Sequence, residues 1–185
     1  MTRGARRKGL GIGFVCLFLL FSRYAASALP AEIVIMRHGD KNPDEDWNHN
    51  LNLAGLKRSL ALPDVLLVRY GKPQAIFAPQ PKAPNGANIR SIQLITPTAI
   101  KAEVNIDTKF SVGEEKQLAE CLKTDPSLND KLVFVVWEHN KISEIAAELG
   151  IKTSKWKSTD FDSLWIIKHD DSGIAFSIEK ENLGD

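Results

Sequence analysis

The chain has 185 residues, of which 43% are hydrophobic and 25% are charged. This composition predicts an ordinary globular protein of one domain, with or without a processed segment. The formal net charge is +1, but the first 28 residues hold five basic residues and no acid, so the remainder carries about −4. A mildly acidic body gives no electrostatic reason to bind nucleic acid or an anionic membrane, and neither partner is expected.

Residues 1–28 have the layout of a secretory signal peptide. A basic stretch over Met1–Lys8 precedes an apolar run over Leu10–Phe21, which is shorter than the roughly 20 residues needed to span a bilayer. Ala26-Ser27-Ala28 supplies the small residues of a cleavage site. We therefore expect cleavage after Ala28, one domain over residues 29–185, and a secreted or periplasmic protein. An uncleaved N-terminal anchor is the alternative.

Strand and helix patterns alternate through the rest of the chain. Strands are predicted over 32–36, 75–78, 131–137, 163–168 and 174–178, and helices over 52–62, 89–102, 114–122 and 142–149. In the first helix, which Asn52 is expected to cap, Leu53, Leu56 and Leu60 recur at helical spacing, and Pro63 marks its end or a kink. The alternation predicts an α/β fold, a three-layer α/β/α sandwich with a mostly parallel central sheet.

Two histidines directly follow predicted strands. Arg37-His38-Gly39 follows the first strand, and His139 follows the strand over 131–137. Ligands of such sheets bind beyond the carboxyl ends of the strands, and Arg90 opens a helix region that starts at the same edge. Guanidinium groups bind phosphate oxygens in a fork, and a neutral imidazole can attack phosphorus. These four side chains therefore predict a positively charged pocket for a phosphoryl group.

Several segments, in this order, resemble motifs of the histidine phosphatase superfamily, also called the phosphoglycerate mutase-like superfamily. They are Ile33–Lys41, Asn50–Arg58, Arg90–Ala99 and Val135–Asn140, and Asp160–Trp165 resembles a closing motif of small bacterial and fungal members. The resemblance covers nearly all of residues 29–185. It implies the phosphoglycerate mutase-like fold and no metal or organic cofactor. It also implies that His38 becomes a phosphohistidine, which water hydrolyses, while Arg37, Arg90 and His139 hold the phosphate.

The proton donor to the leaving group stays open. One family branch has an aspartate after the second histidine, where this chain has Asn140. The mutase-like branch has a glutamate a few dozen residues after the second arginine. Glu115 matches that glutamate best, with Glu114 and Glu120 nearby, and Glu138 is the other candidate. The alternative for each is a solvated surface carboxylate.

The function expected from these features is that of an exported phosphatase hydrolysing phosphomonoesters. Lys41 resembles a basic residue that adds phosphate contacts in a family variant, or is a surface lysine. The chain lacks the large inserted cap of bigger members, so a short, open site is expected to accept a phosphorylated small molecule or a phosphorylated macromolecule. The alternatives are a mutase-like phosphotransferase and a non-catalytic member that binds phosphorylated ligands. No pair of histidines shows the close spacing of a zinc motif, so no metal is expected.

Overall fold

A computed structural model of the full chain describes Met1, residues 29–42 and residues 47–183. Apart from Met1, the predicted signal segment and its cleavage site therefore lie outside the described residues. Among the residues that are described, none of the helices has the length and apolar character needed to cross a membrane.

One six-stranded sheet organises the fold. Its strands are β1 (Glu32–Arg37), β2 (Ala75–Phe77), β3 (Ile106–Asp107), β4 (Leu132–Trp137), β5 (Ser163–Asp170) and β6 (Gly173–Lys180). They lie side by side in the order β3-β2-β4-β1-β5-β6. The first four in this order run parallel, with Arg37 opposite Trp137 across β1 and β4. Strand β5 runs antiparallel to both of its neighbours, β1 and β6, so β5 begins at the edge of the sheet where β1 ends.

Helices cover both faces of the sheet. They are α1 (Leu53–Arg69), α2 (Ile89–Ala102), α3 (Glu115–Thr124) and α4 (His139–Glu148). Val34 and Met36 of β1 pack in one hydrophobic cluster with α1 and α2, whereas Ile33 and Ile35 pack in a second cluster with α3 and α4. This alternation along one strand buries both faces of the sheet. The predicted three-layer α/β/α sandwich is confirmed.

Helix α1 is longer than predicted. Asn52 caps its start as expected, because its side chain accepts a hydrogen bond from the Gly55 amide at 2.8 Å. The helix then continues through Pro63 to residue 69 instead of ending at residue 62. Leu66 lies in the added turns and is fully buried. Packing on the sheet therefore outweighs the hydrogen bond that the proline removes.

The inward face of α1 is not the one that carries the evenly spaced leucines. Three leucines at helical spacing face solvent: Leu53 (68% exposed), Leu56 (48%) and Leu60 (62%). Gly55 and Arg58 are buried instead. A Cβ atom at Gly55 would lie 2.8 Å from the carbonyl oxygen of Asp40, so the glycine lets α1 lie directly against the segment that follows β1.

Candidate active site

The carboxyl ends of β1 and β4 bring two histidines together. His38 follows β1, and its amide donates to the Trp137 carbonyl at the end of β4 at 3.0 Å. His139 opens α4, two residues beyond Trp137. The centroids of the two imidazole rings lie 5.8 Å apart, with the rings inclined by 66°. The parallel pairing of neighbouring strands thus places side chains that are about 100 residues apart in sequence at one edge of the sheet.

The ring of His38 is held in one orientation. Its Nδ1–H donates to the Gly39 carbonyl at 2.8 Å, and the residue is only 5% exposed. Because a neutral imidazole carries one proton, the hydrogen bond at Nδ1 leaves the lone pair on Nε2. That atom lies 3.7 Å from Oε1 of Glu138. The free lone pair is the chemical requirement for a nucleophile toward phosphorus.

Arg37 is buried beside His38 and is held by a loop. Its Nη1 donates to the carbonyl of Ser158 at 2.5 Å and to the carbonyl of Asp160 at 3.3 Å. The guanidinium carbon lies 3.6 Å from the ring centroid of Phe161, in the geometry of a cation–π contact. Burial lowers the pKa of Arg37 to about 10, with the charge of Glu138 acting in the opposite direction. The group therefore keeps its positive charge at neutral pH.

Arg90 contributes a second guanidinium from the first turn of α2. Burial lowers its pKa, and the charge of Glu138 opposes that shift, as it does for Arg37. The Nε atoms of Arg37 and Arg90 are both buried, and neither has a hydrogen-bond partner among the described residues. Buried donors nearly always have a hydrogen-bond partner in proteins. Two guanidinium donors that lack one, both near Glu138, are therefore typical of an anion-binding site.

Glu138 lies between the two histidines. It caps α4, with Oε2 accepting from the Asn140 amide at 2.6 Å, while Oε1 lies 2.7 Å from Nδ1 of His139. Burial raises the pKa of Glu138, but its contact with His38 and the bond from Asn140 outweigh burial and lower it overall. Burial and the charge of Arg37 lower the pKa of His139. The site at neutral pH thus combines a carboxylate with two guanidiniums.

The same three residues could hold a metal ion. His38, Glu138 and His139 offer ligand atoms that all lie within 4.8 Å of one another, and two nitrogens with one oxygen suit zinc. The guanidiniums of Arg37 and Arg90 favour an anion over a divalent cation at this position, because like charges repel. The absence of a metal requirement remains a prediction.

Similarity to known proteins is confined to the fold. No protein-family model matches the chain, and no curated protein matches it in sequence. The protein histidine phosphatase SixA, solved with tungstate, shares 16% identity with a TM-score of 0.53 over 81% of this chain and 97% of its own. A mycobacterial glucosyl-3-phosphoglycerate phosphatase, solved with inorganic phosphate, shares 13% identity with a TM-score of 0.55 over 80% of this chain and 95% of its own. The chain has the histidine phosphatase fold.

The other two predicted site residues, Glu115 and Lys41, have different surroundings. Glu115 is 3% exposed, and its Oε1 accepts hydrogen bonds at 2.9 Å from both Trp137 Nε1 and the Gly113 amide. It is therefore buried and bonded to structural groups, not a solvated surface carboxylate. The side chain of Lys41 is exposed, and its carbonyl accepts from Asn52 at 3.1 Å. The catalytic role of Glu115 and the phosphate contact of Lys41 remain predictions.

One buried ion pair was missed by the sequence analysis. Arg58 Nε and Nη2 donate to the two carboxylate oxygens of Glu181 at 2.8 and 2.5 Å. The same guanidinium reaches the carbonyls of His38 at 3.3 Å and Arg37 at 3.4 Å. It thus ties the end of β1 to the segment after β6. Arg58 lay in a motif segment, but no local pattern connects it with Glu181, 123 residues away.

Proposed function

We propose that the chain is a phosphatase of the histidine phosphatase superfamily, which hydrolyses phosphomonoesters through a phosphohistidine on His38. One observation carries the proposal. Nε2 of His38 lies 3.7 Å from Oε1 of Glu138, and the charge of this carboxylate also acts on Arg37 and Arg90, whose Nε donors have no partner among the described residues. A nucleophile beside two cationic donors is what phosphoryl transfer requires. Both solved structures named above are phosphatases, one solved with tungstate and one with phosphate. This supports a reaction on phosphate-like oxyanions in a protein with this fold.

The first half-reaction forms a covalent intermediate. His38 Nε2 attacks phosphorus, so that an N–P bond forms while the bond from phosphorus to the ester oxygen breaks. Arg37, Arg90 and His139 stabilise the charge on the three remaining phosphoryl oxygens. The proton on His38 Nδ1 stays in its bond to the Gly39 carbonyl. The phosphorylated ring is therefore cationic, which keeps the N–P bond reactive toward water.

The leaving alkoxide needs a proton, and we assign its delivery to Glu138. Without a bound ester its pKa is lowered, so it is a carboxylate. A bound phosphate ester brings further negative charge within a few ångströms, which raises the pKa of a neighbouring carboxyl group. Glu138 then takes up a proton on binding and passes it to the departing oxygen. Its position 3.7 Å from the nucleophilic Nε2 supports this role over that of Glu115, whose hydrogen bonds go to Trp137 and Gly113.

Water completes the cycle. The deprotonated Glu138 accepts a proton from the attacking water as the new O–P bond forms. The N–P bond breaks with its electron pair returning to His38 Nε2. Inorganic phosphate leaves, and the ring regains its original tautomer because Nδ1 has kept its proton throughout.

The nucleophile is tested with the purified chain, an aryl phosphate and no added metal. We expect the wild type to hydrolyse it and His38→Ala to lose at least about 10³-fold in kcat. His169→Ala is the matched control, since His169 lies on β5 at the opposite edge of the sheet. Labelled phosphate should be trapped on His38 of the wild type after a quench that avoids acid. A wild type that binds phosphate without hydrolysing the ester would favour the non-catalytic alternative.

The general acid is tested by varying the leaving group. Nitrophenolate leaves without a proton more readily than phenolate or an alkoxide. Glu138→Gln should therefore lower kcat/KM, which reports only the steps up to the phosphohistidine, by about 10²–10⁴-fold for an alkyl phosphate and much less for nitrophenyl phosphate. Glu115→Gln is the comparison variant, and we expect it to slow both substrates to the same extent through any loss of structure. The reverse pattern would transfer the role to Glu115.

We also propose that the protein acts outside the cytoplasm. The support is the signal-peptide pattern of residues 1–28 in the sequence. Expression of the full chain, fractionation and N-terminal sequencing test this. A product that starts at Leu29 outside the cytoplasm is expected, and an intact N-terminus in the cytoplasmic fraction would contradict it.

A further inference from the structure

The connection between α4 and β5 runs back toward the active site. Helix α4 starts at His139, beside the nucleophile, and ends at Glu148. β5 begins at Ser163 and is antiparallel to β1, with Leu164 opposite Met36. The chain between them therefore returns to the sheet edge where His38 lies. Its last residues form part of the active-site wall.

Contacts to Arg37 show how close this connection comes. The carbonyls of Ser158 and Asp160 both accept from its guanidinium, and the ring of Phe161 stacks on it. Trp156 anchors the preceding part of the segment. It is 5% exposed, donates from Nε1 to the Asp160 carbonyl at 2.8 Å and packs on Trp165 with ring centroids 5.0 Å apart. The segment has a defined path and is not a loose loop.

Three lysines precede the residues of this segment that contact Arg37. Lys152, Lys155 and Lys157, here called the lysine track, are all exposed, and none makes an ion pair with any of the described residues. The stretch from Leu149 to Thr159 contains no acid, although the chain after residue 28 carries about −4 overall. The positive charge of the track is thus local, and the next acid along the chain, Asp160, lies 3.4 Å from Lys180.

A pocket lies beside the track. It has a volume of about 250 Å³, and its lining includes three lysines, two tryptophans and one acid: Lys155, Lys157, Lys180, Trp156, Trp165 and Asp160. This volume suits one side chain of a bound ligand, not a whole small-molecule substrate. At no more than about 3.3 Å per residue, the path from Ser158 back to Lys152 covers up to about 20 Å. A single phosphate group occupies only a small part of that distance.

We propose that the lysine track binds acidic residues of a phosphorylated polypeptide, whose phosphate enters the site at His38. This inference deepens the proposed phosphatase function and rests on it. An extended chain with several negative charges matches a run of unpaired cations that precedes the residues contacting Arg37. A polyanion of another class, such as a linear polyphosphate, is the competing outcome of the test.

The test compares two phosphotyrosine peptides of equal length, with three glutamates or three glutamines on each side of the phosphoresidue. We expect KM for the acidic peptide to be about tenfold lower than for the neutral one at low salt, with the difference shrinking as salt rises. Lys152→Glu/Lys155→Glu/Lys157→Glu should raise KM for the acidic peptide by at least about tenfold more than KM for nitrophenyl phosphate.

The matched control is Lys72→Glu/Lys101→Glu/Lys131→Glu. It changes the net charge by the same amount, but Lys72 and Lys131 precede β2 and β4, and Lys101 lies at the end of α2, all at the opposite edge of the sheet. It should keep the preference for the acidic peptide. Equal losses in both triple variants, or no preference in the wild type, would overturn the proposal. So would rapid release of phosphate from polyphosphate with neither peptide hydrolysed.

Failure of the proposed function gives a different result. A wild type inactive on nitrophenyl phosphate removes the phosphatase assignment. The track is then judged by fluorescence anisotropy of the labelled acidic peptide. Binding that is tight in the wild type, weak in the track variant and unchanged in the control keeps the docking role. Equal binding in all three rejects it.

Discussion

The buried Arg58–Glu181 pair provides the most quantitative test of how the fold positions the nucleophile. The two side chains are 8% and 1% exposed. Arg58 also donates to the carbonyls of His38 and Arg37 at 3.3 and 3.4 Å. Glu181→Met leaves a buried guanidinium without its partner, which costs about 3–5 kcal/mol. Arg58→Met/Glu181→Met removes both charges, and replacement of a buried pair by apolar residues is often neutral for stability.

The double variant separates stability from positioning. It should unfold in urea with a free energy within about 2 kcal/mol of the wild type, since no unpaired charge remains. Two carbonyls around His38 nevertheless lose their donors. Misplacement of a catalytic group by about 1 Å can cost about 10²-fold, so we expect kcat on an aryl phosphate to fall by about 10–100-fold. KM should change less, because Arg37 and Arg90 still bind the phosphate.

A matched control uses a second ion pair that involves the same helix. Asp64 of α1 pairs with Lys101 of α2, and both side chains are exposed. Asp64→Ala/Lys101→Ala should change stability by about 1 kcal/mol or less and leave kcat unaltered. Wild-type kcat in the folded Arg58→Met/Glu181→Met variant would refute the idea that the pair positions His38. Equal falls in kcat for both double variants would attribute the effect to general loosening of the fold.

Three further predictions follow from the site. Gly55→Ala should destabilise the protein by about 1–3 kcal/mol in urea melts, because the new Cβ would lie 2.8 and 2.9 Å from backbone atoms of Asp40. An unchanged melt would contradict this close approach. Sulfate binding near pH 6.5 should take up protons, since the pKa of His139 is lowered in the free site and a bound dianion raises it. Calorimetry in two buffers measures the uptake, and His139→Gln should reduce it to the part that Glu138 takes up, whereas uptake equal to that of the wild type would contradict the role of His139. EDTA should leave hydrolysis unchanged, and activity that EDTA removes and zinc restores would identify His38, Glu138 and His139 as a metal centre.

The pattern of residues along the chain predicted much of the fold. The strands that contribute to the site were predicted within one or two residues at the site edge, because buried strands are short apolar runs. Arg37, His38, Arg90 and His139 were placed at one edge of the sheet by a rule about strand ends. The ring separation of 5.8 Å between the two histidines agrees with that placement.

Spacing along the chain does not say which residues a side chain contacts across the fold. The spacing of Leu53, Leu56 and Leu60 suggests one helical face, yet all three are exposed. Helix α1 turns Gly55 and Arg58 inward, because the end of β1 lies against that side of the helix. A periodic pattern shows which residues share a face but not which face is covered.

The sequence by itself determined the alternating elements, the residues at the strand ends and the resemblance to histidine phosphatases, since these depend on spacing along the chain. Only the tertiary structure decided that Glu138 lies between the histidines, that Glu115 is bonded to Trp137, and that Arg58 bonds Glu181. Those contacts depend on directions of side chains and on pairs up to 123 residues apart. Residues so far apart in sequence do not interact until the sheet has formed.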